Sequence, residues 1–253
     1  MDAKNKILII GSFPTYEKGI YGGIAQSCKI LLKSNTFSKY EISTIDSSQK
    51  IKPKPSILTR LFYAFRRISY LIFSLIFNRP KLNLIFCSDG LSAFEKGLMV
   101  LISRFFKVKS IIFPRAGNLI NQTNKSKFFS RIIKFMFTRA DIFLCQGKTW
   151  YDYAKESLKI DKKKIQIISN WTATENLIRI GLERQSLKIS SKLNILFVGW
   201  LEKEKGINEI LNVLITLRNK KYNFTITFIG NGKMKNQIEL FIKENNLLDK
   251  VFL

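Results

Sequence analysis

Ile195–Leu214 reads ILFVGWLEKEKGINEILNVL, and Phe224–Leu253 reads FTITFIGNGKMKNQIELFIKENNLLDKVFL. An apolar run ends at Gly199, a charged loop carries Lys205 and Gly206, and an amphipathic helix begins. A second apolar run ends in Gly230-Asn231-Gly232 before another helical pattern. Strand, glycine turn and helix, twice over, present backbone N–H groups and a lysine to a phosphate. The last three residues read as the start of a third strand. A domain rarely ends there, so the sequence predicts one whole domain and the first half of another.

Working back from that stretch, the same alternation fills the rest of the chain. Lys6–Ile10 is a continuous apolar run, as in a central parallel strand. Tyr40–Ile45, Leu82–Cys87, Ser110–Phe113, Ile142–Cys145 and Ile165–Ile168 read as further strands. Helical patterns cover Ile24–Lys33, Ile57–Phe77, Leu91–Phe106, Phe128–Thr138 and Trp150–Leu158. Strand-helix alternation predicts an α/β fold with a doubly wound, Rossmann-like parallel sheet. A polar, weakly periodic stretch over 173–192 reads as a linker plus a surface helix. The expected organisation is a domain over 1–172, that linker, and a partial domain over 193–253.

Composition bounds the chemistry. The formal net charge is +25, from 43 Lys and Arg against 18 Asp and Glu. Such an excess attracts polyanions: nucleic acid, anionic membrane or phosphorylated substrates. A coding bias toward Lys, Asn and Ile gives the same excess with no polyanionic partner. There is no histidine. That excludes Ser-His-Asp and Cys-His nucleophilic sites and most zinc enzymes. Cys28, Cys87 and Cys145 are scattered, so neither a metal site nor a disulfide framework is expected, and buried thiols in a reducing cytosol are. No signal peptide is visible.

Five features qualify as sites. Gly22 and Gly23 close the long loop Ser12–Gly23, where backbone can approach a ligand at a helix start. That loop is too long for the dinucleotide fingerprint G-x-G-x-x-G. Gly199–Gly206 sets Lys205 at a helix N-terminus, doubly favourable to phosphate. Gly230, Asn231 and Gly232 stand at the carboxyl end of a strand, where α/β proteins bind ligands. In Phe113–Asn118 (FPRAGN), Arg115 suits a phosphate or sugar carboxylate and Asn118 suits sugar hydroxyls. Each also reads as an ordinary turn or cap. Ile57–Phe77 carries Arg60, Arg66 and Arg67 among aromatics; the arginines argue against a membrane span. A helix lying on an anionic bilayer and a core helix both remain open.

Taken together, the GG loop, ISNWT at 168–172, ILFVGWLEKEKG and TFIGNGKMKNQIELFIKENNLLDKVFL resemble a family 4 glycosyltransferase of the two-Rossmann GT-B fold. The resemblance implies sugar transfer from a nucleotide-sugar, usually with retention, to a lipid-linked or growing polysaccharide acceptor in polysaccharide biosynthesis. It implies Lys205 on the donor diphosphate, Gly22 and Gly23 near the phosphates and acceptor, and the Gly230–Gly232 turn near the nucleotide. Gly199 and Gly206 bound the diphosphate loop. Neither cofactor nor metal is expected. The leaving phosphate can take the acceptor proton, with Lys205 and, secondarily, Arg115 as the electrostatic contributors.

Three departures from the family pattern stand out. Trp200 replaces a phosphate-binding arginine, and FPRAGN replaces a histidine. The family's glutamate pair, spaced E-x7-E, would lie beyond Leu253. The competing expectation is a non-catalytic remnant or partner-dependent subunit at the membrane surface. Nucleic-acid binding ranks last, because the basic residues are dispersed and no known module appears. The expected location is the cytoplasm, peripheral on the inner face of the membrane.

Overall fold

The computed structural model describes residues 5–13, 22–48, 55–183 and 192–253. Parts of the glycine loop (14–21, with Pro14 and Gly19), of the basic loop (49–54) and of the linker (184–191) lie outside the described residues. The chain divides into two compact units, Met1–Thr174 and Glu175–Leu253.

The first unit is built on six parallel strands. They are β1 (Asn5–Gly11), β2 (Tyr40–Asp46), β3 (Leu82–Cys87), β4 (Lys109–Pro114), β5 (Ile142–Cys145) and β6 (Ile165–Ile167). Their spatial order is β2-β1-β3-β4-β5-β6. β1 pairs with both β2 and β3, with Ile7 opposite Ile42 and Leu82. This is the flavodoxin-like order, not the dinucleotide order 3-2-1-4-5-6, in keeping with the missing fingerprint.

The apolar runs become strands because both faces of the sheet are covered. Leu8, Ile10, Ile85, Cys87 and Ile112 point into one core. Ile7, Ile9, Leu84, Phe86 and Phe113 point into the other. The surrounding helices are α1 (Gly23–Lys33), α2 (Ile57–Phe73), α3 (Leu91–Phe105), α4 (Asn118–Lys125), α5 (Lys127–Phe137) and α6 (Lys148–Asp152). Cys28 of α1 joins the second core; Leu71 of α2, Met99 of α3 and Ile133 of α5 join the first.

Two helices differ from their sequence patterns in the same way. Ile57–Phe77 is α2 up to Phe73, then a π turn over Ser74–Asn78. Trp150–Leu158 lies in α6 and a second π turn, Tyr153–Ser157. The wider turn rotates Ser74, Leu75, Tyr153 and Ala154 into buried positions, a shift that apolar spacing does not encode. Short α4 was absent from the sequence reading; its polar stretch NLINQTNK buries Leu119 and Thr123.

The second unit holds α7 (Glu175–Glu183), β7 (Leu193–Val198), α8 (Ile207–Asn219), β8 (Phe224–Ile229), α9 (Lys235–Glu244) and β9 (Val251–Phe252). The strands are parallel in the order β7-β8-β9. One face carries Phe224, Ile226 and Phe228, packed under Leu211 and Leu214 of α8 and Ile238 and Ile242 of α9. The other face shows Leu196, Val198 and Ile229 to solvent, at 62%, 67% and 55% exposure.

Candidate functional site

In the first unit the connections from β1 and β3 leave in opposite directions, so a crevice opens at their carboxyl ends. Ligands of open α/β sheets bind at such a switch point. Asp46, at the end of β2, fixes the loop beyond β1: its Oδ1 accepts the Phe13 and Ser48 N–H groups at 2.8 Å each. Ser47 donates its N–H to Gly11 O at 2.7 Å. Gly22 and Gly23 stand at the start of α1, both exposed, with no atom within 4 Å of where a Cβ would sit. Both border a cleft of about 970 Å³ that runs from this crevice under α2.

Arg115 leaves the end of β4 and folds back over the aromatic core. Its guanidinium lies 4.9 Å from the Phe113 ring centroid and 5.5 Å from that of Trp171. Nη2 donates to Ser27 Oγ at 2.9 Å, while buried Nη1 has no protein partner. Trp171 donates Nε1–H to Ser27 O at 2.9 Å, and Ser27 Oγ donates to Gly23 O at 2.9 Å. Burial pushes the Arg115 pKa down, with the nearby Cys28 thiol opposing. The arginine is thus a clamp on the first turns of α1, with its Nη1 unspent. Trp171, quoted in the sequence only within ISNWT, is the partner that sequence reading did not assign.

Asn118 opens α4, where its Nδ2 donates to Asp89 Oδ2 at 2.7 Å. Ser88 Oγ donates to the other Asp89 oxygen at 3.2 Å. One N–H of the Asn118 side-chain amide is thus used on Asp89, a residue the sequence did not single out.

Under α2 lies a second cluster unseen in the sequence. Arg67 donates Nε to Glu95 Oε1 at 2.6 Å and Nη2 to Oε2 at 2.9 Å. Lys96 Nζ reaches the same Oε2 at 3.2 Å, with its side chain 2% exposed. Burial alone would raise the Glu95 pKa, but Lys96 and Arg67 outweigh it and hold the carboxyl below its usual value. Burial lowers the Lys96 pKa, and Glu95 only partly offsets that. The sole sequence trace is Glu-Lys inside an apolar helix pattern, which reads as a solvated face.

In the second unit Lys203–Lys205 forms a tight 3₁₀ turn, and Gly206 (φ 77°) caps α8 in the left-handed region. A side chain there is strained, so the glycine sets the helix entry. Lys205 is exposed and has no ion-pair partner among the described residues. The first-turn N–H groups of α8 have no intrahelical acceptors.

The Gly230–Gly232 turn has a structural task. Gly199 N donates to Ile229 O and Leu201 N to Asn231 O, both at 3.0 Å; Met234 N returns to Leu201 O at 3.0 Å. A Cβ on Gly230 would fall 1.8 Å from Gly199 O, and one on Gly232 would fall 2.3 Å from Leu201 O. These glycines let the two strand-end loops lie against each other. Asn231 Oδ1 accepts the Gly232 N–H at 2.8 Å.

Among the described residues no group of three His, Cys, Asp or Glu side chains could hold a metal ion. No helix there is long and apolar enough to cross a membrane.

The chain is similar to known proteins in sequence and in fold. Residues 180–253 match the family model described as glycosyl transferases group 1. An uncharacterized glycosyltransferase of Methanocaldococcus jannaschii is 26% identical over 239 residues, covering 89% of this chain and 61% of its own length. The N-acetylgalactosamine-N,N'-diacetylbacillosaminyl-diphospho-undecaprenol 4-alpha-N-acetylgalactosaminyltransferase of Campylobacter jejuni is 30% identical over 133 residues, 51% of this chain and 35% of that protein. In fold, sucrose-phosphate synthase of Thermosynechococcus elongatus superposes with a TM-score of 0.66 at 14% identity, over 98% of this chain and 70% of the other.

The fold is therefore that of the GT-B glycosyltransferases. The chain spans about three fifths or less of the length of the curated relatives it matches.

Proposed function

We propose that the protein transfers a sugar from a nucleotide-sugar donor to a glycan or lipid-linked saccharide acceptor, with retention and without a metal. One observation carries the reading: Lys205 stands unpaired at the Gly206-capped start of α8, inside the segment that matches the transferase family. There a donor diphosphate meets a cation and free helix N–H groups, which stabilise the charge that grows on the leaving phosphate. Gly22 and Gly23 leave room for an acceptor at the first-unit crevice. Arg115 supports the site indirectly, by holding α1 through Ser27. The lipid-linked acceptor draws support from the Campylobacter relative, whose printed name includes a diphospho-undecaprenol substrate.

The test is sugar transfer from a panel of nucleotide-sugars by the native gene product. Lys205→Ala is expected to lower kcat by about 10²-fold or more, the scale of losing one preorganised electrostatic contact. Unchanged turnover sinks the assignment.

Peripheral attachment to the inner face of the membrane goes with this reading. Leu58, Phe62 and Phe65 of α2 are exposed beside Arg60 and Arg66, as an interfacial helix requires. Cosedimentation with phosphatidylglycerol vesicles, lost on Phe62→Ser/Phe65→Ser, is the expected result.

A further inference from the structure

The Arg67–Glu95–Lys96 cluster holds two cations against one carboxylate, almost out of water. Side-chain exposure is 19% for Arg67, 8% for Glu95 and 2% for Lys96. A buried surplus charge is costly unless a counter-charge joins it. Donors remain for such a partner. Lys96 uses one of its three N–H groups, on Glu95, and Arg67 leaves Nη1 without a protein acceptor. Both side chains border the 970 Å³ cleft.

The other charged groups of that cleft do not cancel the surplus. The Asp46 and Asp89 carboxylates, which accept from Phe13, Ser48, Ser88 and Asn118, are matched in charge by Arg60 and Arg66, the latter resting on the Tyr70 ring at 5.4 Å. Beside the cations the wall of the cleft is apolar and solvent-exposed, through Leu61, Phe65, Leu91 and Phe94. A cationic floor next to an open apolar wall matches an amphiphile with an anionic head.

We propose that Arg67 and Lys96 bind the oxyanion of an amphiphilic phosphate or diphosphate ester, whose apolar chain lies along Leu61, Phe65 and Phe94. Glu95 takes one or more donors from each cation and so competes with the ligand for them. Calling this ligand the sugar acceptor rests on the transferase reading; the anion site does not.

The test is a calorimetric titration of the full chain, without nucleotide-sugar, using decyl diphosphate, inorganic diphosphate and decanol as probes. Saturable binding of decyl diphosphate is expected, at least tenfold tighter than inorganic diphosphate, with none for decanol. Lys96→Met, which leaves the Arg67–Glu95 pair intact, should weaken it tenfold or more. Glu95→Gln removes the competing carboxylate and should tighten it several-fold, a gain that a merely structural salt bridge would not give.

Equal affinity in wild type and Lys96→Met, weaker binding in Glu95→Gln, or inorganic diphosphate binding as tightly as the ester would each overturn the proposal. If Lys96→Met fails to fold, Glu95→Gln decides alone. UDP and GDP are titrated into the same samples, so failure of the anion site is told apart from failure of the donor site.

Discussion

The two sheets of this chain are made of similar strands and treated differently. In the first unit, β1 is buried on both faces, with Ile9 and Ile10 fully enclosed. In the second, β7 is covered on one face and exposes Leu196 and Val198 on the other. Parallel sheets are normally sandwiched between helical layers, and the first unit obeys that rule. The difference teaches where stability and chemistry reside. The first unit carries a buried charge, Lys96, set against the Glu95 carboxylate at the border of its cleft. The second rests on one core and on loop-to-loop hydrogen bonds at the end that holds Lys205.

The sharpest way to break the comparison is at those loops. Gly230→Ala forces a Cβ into the Gly199 carbonyl and should destabilise the second unit by about 3–5 kcal/mol, the range of severe backbone and packing lesions. Urea unfolding should then show the second unit melting early while the first keeps its midpoint; a single unchanged transition contradicts this.

Next in size is a matched pair of deletions. Ile9→Ala should cost the first unit about 2–5 kcal/mol, as buried isoleucine truncations do. Leu196→Ser, on the bare face, should stay within about 0.5 kcal/mol. Equal losses would mean that Leu196 is covered in solution.

The buried cluster gives a pH test confined to the first unit. Glu95 has a depressed pKa in the folded state, so its contribution is present above the ordinary carboxylate pKa and is lost as pH falls through the folded value. Lys96 is also depressed, so its charge burdens the fold at neutral pH, and that burden lifts as pH rises through the folded value. Wild type should lose stability on acidification relative to Glu95→Gln. It should gain on alkalinisation relative to Lys96→Met. Parallel pH curves for all three would show that the charges are not buried as described.

The smallest signal separates the two units cleanly. All three thiols lie in the first, and burial pushes Cys28 up to about 11 and Cys145 to about 12, with Cys87 raised further in direction. Labelling with a thiol reagent at pH 8 should therefore be slow in native protein and should track unfolding of the first unit alone. Fast labelling before that transition would refute the enclosure of these thiols.

The strands were legible because buried parallel strands are short apolar runs, as KILII and LNLIFC show. The Gly206 cap and Lys205 were legible because a positive-φ helix entry selects glycine and leaves its lysine neighbour at the surface. What stayed hidden depends on tertiary approach. Gly230 and Gly232 look like ligand-facing glycines, yet they make room for Gly199 and Leu201. Arg115 looks like a phosphate ligand, yet it stacks on Trp171, 56 positions away, and bonds Ser27, 88 away. Glu95 and Lys96 look solvated until Arg67, 28 residues earlier, is packed against them.

The most direct measurement is a titration of UDP and GDP into the wild-type chain and into Lys205→Ala. The account predicts saturable binding of one nucleotide, weakened about tenfold by the substitution, the scale of one charge-assisted contact of 1.4 kcal/mol. Absence of binding, or equal affinity in the two proteins, would contradict a donor diphosphate seated at the start of α8.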